Sequence, residues 1–100
     1  MLRGADMKLL DFNNLTQYMS PKSLLFWQEN DAILAISQVR YADDSPNLLI
    51  VTGEKPMTLS QFTARLREMS SETQIFAQNQ HPIFGFRLTL NDKIPHIILK

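Results

Sequence analysis

Apolar positions along this chain switch between a helical and a strand-like period twice. Leu59, Phe62, Leu66 and Met69 recur at spacings of 3, 4 and 3, which places them on one stripe of a helix. Thr58 and Gln61 precede that stripe with the spacing of a reciprocal cap. The Thr58 hydroxyl accepts from the Gln61 amide while the Gln61 side chain returns to the Thr58 amide. Met57 and Phe62 stand where a hydrophobic staple forms across such a cap. Ser70 and Ser71 end the segment. An earlier stretch is less regular. Phe12, Leu15 and Met19 make the stripe, with Leu9 one turn before. Lys8 occupies the place of the capping hydroxyl, so that cap is missing and Asp11 is expected to start a shorter helix. Asn13 and Asn14 are poor helix formers, and Ser20-Pro21 stops the segment because a residue before proline avoids the helical region.

Between and after these segments the pattern becomes strand-like. Residues 24–28 and 74–78 read as short strands, each leading through a polar turn (29–31 or 79–81) into a longer one, 32–41 or 82–90. In the second long strand Phe84, Phe86, Leu88 and Leu90 alternate with Gly85, Arg87 and Thr89, the pattern of a strand with one wet face. The first long strand breaks parity, since Leu34 and Ile36 point one way and Val39 and Tyr41 the other. A bulge near Ser37-Gln38 would restore a common face; the alternative is that both faces there are covered. Residues 47–52 and 96–100 close the series, after loops at 42–46 and 91–93.

The two halves share this order. Sliding the chain by 50 places Met7 on Met57, Leu9 on Leu59, Phe12 on Phe62, Met19 on Met69, Ser20 on Ser70, Phe26 on Phe76, Gln28 on Gln78 and Ile33 on Ile83. Identity at that density, joined to the same order of elements, predicts an internal duplication. The expected fold is α+β and two-layered: a tandem α-β-β-β repeat with pseudo-twofold symmetry and both helices on one face of a mainly antiparallel sheet. Residues 7–52 form the first unit and 57–100 the second, in a single domain. Residues 1–6 are expected to be a disordered leader, with Met7 a possible second start. Phe62 and Phe76 are the expected core aromatics.

Composition narrows the chemistry. Cysteine is absent, which removes disulfides, thiolate zinc sites and cysteine nucleophiles and fits a reducing cytoplasm. The ten basic and ten acidic residues cancel, which weighs against a generic nucleic-acid binder. No apolar run is long enough for a membrane span. Thr52-Gly53-Glu54-Lys55-Pro56 resembles the linker that joins tandem Cys2His2 zinc fingers. The resemblance stops at the loop, since such fingers need cysteines; here the segment reads as the joint between the two units. His81 and His96 are the only histidines and show no ligand spacing, and Asp43-Asp44 reads as a solvated turn. No metal, cofactor or catalytic residue is expected.

For function, the sequence favours a non-catalytic protein-interaction or regulatory module over two alternatives. Leu25 and Trp27 share one side of their strand, and Leu24 and Phe26 the other. If the helices cover Leu24 and Phe26, then Leu25 and Trp27, with Val39 and Tyr41, form an open interface for a second copy of the chain, because symmetric dimers are the commonest oligomers and tryptophan is a favoured anchor. The first alternative is nucleic-acid binding through Arg65, Arg67, Arg87 and Lys93. The second is a small-ligand protein or an enzyme without recognisable motif.

Overall fold

A computed structural model of the chain describes residues 7–41, 47–67, 69, 70, 72–77, 82–91 and 93–100. The leader at 1–6, the 42–46 loop, Gln78 and His81 lie outside the described residues. The fold is α+β, with two helices and a six-stranded mixed sheet. The elements are α1 (Leu9–Thr16), β1 (Leu24–Glu29), β2 (Ala32–Tyr41), β3 (Leu48–Gly53), α2 (Leu59–Arg65), β4 (Ile75–Ala77), β5 (Phe86–Asn91) and β6 (Ile94–Leu99).

The second helix begins as its cap residues dictate. At α2 the Gln61 amide donates to the Thr58 hydroxyl at 3.1 Å and the Thr58 amide to the Gln61 side chain at 2.9 Å. At α1 only the returning half forms: the Lys8 amide donates to the Asp11 carboxylate at 3.2 Å, since a lysine side chain carries no acceptor. α1 therefore starts at Leu9, a turn earlier than Asp11 as a hydroxyl-like cap would have it. Its buried stripe is Leu9, Phe12 and Thr16, while Leu15 is exposed. Thr16 is tolerated inside because its hydroxyl donates to the Phe12 carbonyl at 2.8 Å.

The sheet runs β4-β3-β2-β1-β6-β5. β1·β2, β2·β3 and β5·β6 are antiparallel; β1·β6 and β3·β4 are parallel. The two parallel junctions join residues far apart in the chain, with Leu25 beside Ile97 and Leu48 beside Ile75. Chain preceding β5 also returns to β4, through a Phe76–Pro82 bridge and an Ile83 amide that donates to the Ile75 carbonyl at 3.1 Å. The ends of the strand order are thereby drawn together around one core.

The bulge expected in the first long strand is present, as a register shift between Ile36 and Gln38 against β3. It lets Ile36, before it, and Val39, after it, both pack on the core although their parities differ. A second irregularity stands before β5, where the Phe84 and Gly85 amides both donate to the Lys100 carbonyl, at 2.9 and 3.3 Å. Two successive donors on one acceptor are the mark of a bulge. This is why the expected 82–90 strand begins instead at Phe86.

Gly53 closes β3 against the first bulge. A Cβ there would stand 2.5 Å from the Ser37 hydroxyl oxygen and 2.9 Å from its Cβ, and that hydroxyl is itself held by the Lys55 carbonyl at 2.6 Å. Gly53→Ala is therefore expected to destabilise the fold by about 1–3 kcal/mol through overpacking. Urea denaturation reads this, and a midpoint equal to the parent's would show that Ser37 gives way freely.

The core draws on every strand and on both helices. Leu9 and Phe12 of α1, Leu59 and Phe62 of α2, Leu25 and Trp27 of β1, Ile36 of β2, Leu48 and Ile50 of β3, Ile75 and Ala77 of β4, and Ile97 and Leu99 of β6 are buried in one cluster, against which Phe86 of β5 packs. At its centre the rings of Phe12 and Phe62 meet edge-on, centroids 5.0 Å apart, and Phe86 meets Phe12 at 5.8 Å. Phe76 does not share this position. It lies between the buried Ile75 and Ala77, pointing to the opposite side of β4, and is half-buried. None of the helices among the described residues is long and apolar enough to cross a membrane.

Candidate functional site

The side of β1 that carries Leu25 and Trp27 is the inner one. Leu25 is 0% and Trp27 4% exposed, and both belong to the core with Phe12 and Phe62. These residues thus face the core and leave Leu24 and Phe26 on the outer side, the reverse of the arrangement that would make Trp27 an open anchor. The reason lies in the strand's neighbours. Trp27 stands in a row between Leu34 and Leu99, whose side chains point to the same interior. Val39 packs partly buried on the core, whereas Tyr41, at the end of β2, is 67% exposed. The four residues therefore do not line one open face.

The outer side of β1, β6 and β5 has its own arrangement. Cross-strand rows place Arg87, Ile98, Phe26 and Ala35 side by side. Phe26 stacks on His96 with centroids 4.7 Å apart. Arg87 donates to the Gln28 side-chain oxygen at 3.3 and 3.4 Å, long contacts for hydrogen bonds. Ile98 is left only 3% exposed. A second row of the same kind runs Arg40, Leu49, Phe76 across β2, β3 and β4. In each row an arginine lies beside an aliphatic and then a phenylalanine, where its stem can shield apolar surface while the head group stays wet.

The four basic residues lie on different elements. Arg65 ends α2, and Arg67 follows it, both exposed. Arg87 lies in β5 against Gln28. Lys93 sits in the β5–β6 turn, at φ 71°. A further cation, Lys8, meets Glu72 at 2.8 Å on the surface. That bond, with the attraction of the carboxylate, raises the Lys8 pKa above the ordinary lysine value.

A groove of about 410 Å³ runs between the helices. Asn13, Asn14 and Gln17 face Ser60 and Thr63 across it, over Met19 and Leu59. Its polar groups are amides and hydroxyls, able to hydrogen-bond a neutral molecule but offering no acid, base or activated nucleophile. Among the described residues no group of three or more acidic or histidine side chains converges as a metal site would require. His96 is engaged with Phe26; His81, Asp43 and Asp44 lie outside the described residues.

What sequence reasoning missed is the edge. β5 pairs with β6 on one side, and among the described residues no backbone hydrogen bond reaches residues 86–91 from the other. Leu88 and Leu90, two apart and so on one side of the strand, are 54% and 72% exposed. The signal was present as the Phe84–Leu90 alternation, but alternation reports a shared face and not whether anything covers it. Comparison with protein-family profiles, with curated proteins and with solved structures finds no match to this chain.

Proposed function

We propose that this chain is a non-catalytic protein-interaction module, built from two copies of one α-β-β-β unit, that associates with a second copy of itself through the outer edge of β5. The observation that carries the reading is the exposure of Leu88 and Leu90 on a strand whose outer edge is unpaired among the described residues. Such an edge offers main-chain donors and acceptors to an incoming strand, and its leucines offer apolar surface to be covered. Natural edges are commonly blunted by lysine, proline or an inward charge; residues 88–90 read Leu-Thr-Leu. A twofold axis through β5 would pair the strand antiparallel with its copy and bury both leucine pairs at once.

Duplication is supported by hydrogen bonds that recur at equivalent places. The Leu9 amide donates to the Thr73 carbonyl and the Leu59 amide to the Ser23 carbonyl, both at 2.7 Å. Ser20 and Ser70 hydroxyls accept from Lys22 and Glu72 amides at 3.2 and 3.1 Å. Packing of both helices on one side of the sheet is supported by their shared place in the core cluster. We assign the module to a reducing compartment such as the cytoplasm on its lack of cysteine.

Light scattering across a concentration series tests the association. The parent is expected to approach twice the chain mass by tens of micromolar, and Leu88→Lys/Leu90→Lys to stay at one chain mass with an unchanged circular dichroism spectrum. A parent that remains monomeric throughout would refute the proposal.

A further inference from the structure

Four backbone segments cross between the halves of the chain, and they cross reciprocally. Met57, which opens the second half, lies between two strands of the first. Its amide donates to the Ile36 carbonyl at 2.7 Å, and its carbonyl accepts from the Leu25 amide at 3.0 Å. Met7, which opens the first half, lies in a similar way between β4 and the segment that precedes β5. Its amide donates to the Ile83 carbonyl at 2.8 Å, and its carbonyl accepts from the Ile75 amide at 3.1 Å. The next residues repeat the exchange, as bridges between Leu24 and Thr58 and between Lys8 and Gln74. Parallel pairing is reciprocal too. Leu25 of β1 stands beside Ile97 of β6, and Ile75 of β4 beside Leu48 of β3.

These matches also correct the register of the repeat. Ile83 corresponds in bonding to Ile36 and not to Ile33: Ile36 and Ile83 are both fully buried, whereas Ile33 is 48% exposed. Phe26 pairs with Ala35 and Phe76 with Pro82, so the first hairpin is longer than the second by three residues. With that register Arg40 falls on Arg87, each the first member of an arginine–aliphatic–phenylalanine row. Phe12 and Phe62 are counterparts, and they touch each other at 5.0 Å. In a twofold arrangement a residue meets its own counterpart only at the axis.

We infer that the two units are to each other what the subunits of a strand-exchanged homodimer are, each filling the other's slot with its opening residues, so that the partner each unit's surface fits is another copy of that unit. The inference rests on the duplication proposed above. The 54–56 link joins the units without holding them together. Neither unit has a core of its own. β1 borders β2 of its own unit on one side and β6 of the other unit on the other, and β3 lies between β2 and β4. Separated units would bare both of those edges together with the inner faces that meet around Phe12 and Phe62.

The test uses the whole chain, with a specific protease site inserted between Glu54 and Lys55, both exposed, and cut in the folded protein. The cut halves are expected to elute together at the uncut mass, to keep the uncut circular dichroism spectrum, and to acquire a melting temperature that rises with concentration. Mixing cut protein with isotopically labelled cut protein is expected to yield hybrids by native mass spectrometry. Met7→Ala and Met57→Ala, one in each slot, are expected to raise the Kd between cut halves by about tenfold or more each, while Leu88→Lys/Leu90→Lys leaves it unchanged. Halves that separate and stay folded would overturn the inference, as would a loss confined to one slot. Either result leaves association through β5 standing, because that is read from the mass of the uncut protein.

Discussion

Phe62→Ala is expected to lower the unfolding free energy by about 3–5 kcal/mol, the range for truncating a buried phenylalanine. Phe62 is 0% exposed, lies in the helix stripe with Leu59, and meets Phe12 edge-on with an interplanar angle of 62°. The substitution removes the ring's own burial and one partner of an aromatic contact, which adds about 0.5–1.5 kcal/mol beyond area. Relaxation is restricted because Phe12 is also engaged by Phe86 and cannot swing into the vacancy without leaving it. Domains of this size hold about 5–15 kcal/mol in total, so this one change removes a large share. Urea titration by circular dichroism measures it, with an unchanged m-value marking a true loss of stability. Phe76→Ala serves as an internal contrast, with a smaller cost, because Phe76 is only half-buried on the outer side of β4. Equal costs at the two positions would contradict the assignment of inner and outer sides.

Trp27→Ala is expected to cost about 3–5 kcal/mol as well, and to leave the association proposed through β5 unchanged under conditions where the variant is folded. Trp27 is 4% exposed, in a row with Leu34 and Leu99 that points into the core. In the proposed duplication its counterpart is Ala77, which is 0% exposed, so on that reading the bulk on this level comes from one unit alone. Nothing of comparable size stands at the matching place to fill the space. Far-UV circular dichroism is the readout, since the chain's only tryptophan is removed. Loss of association with an unchanged melting temperature would instead make Trp27 an interface anchor and place it outside the core.

The Trp27 expectation turns on which side of β1 faces inward, and that could not be read from its residues. Leu24, Leu25, Phe26 and Trp27 are apolar on both parities, so alternation, the usual guide to a buried face, says nothing here. Tertiary packing decided it by burying Leu25 and Trp27 in the core cluster. In β5 the alternation was clear and still misled. Phe86 packs on the core while Leu88 and Leu90 stand exposed at the edge, because burial needs a neighbour as well as a parity.

Local signals fared better, since their partners lie within a few residues. Thr58 and Gln61 cap α2 as their spacing dictates, with Met57 and Phe62 both buried at the staple positions. The parity break at Ser37-Gln38 located the bulge. Asn30 at φ 55° and Lys93 at φ 71° lie in the polar turns assigned to 29–31 and 91–93.

Residue order alone therefore settled the kind of elements, the α2 cap and the turns at Asn30 and Lys93, because those follow from backbone sterics and hydrogen bonds spanning only a few residues. Tertiary structure decided the parallel pairs β1·β6 and β3·β4, the inner side of β1, and the place of β5 at the end of the strand order, its outer side unpaired among the described residues. Each of these depends on which distant strand supplies the next row of amides and carbonyls, and side-chain period carries no record of that choice.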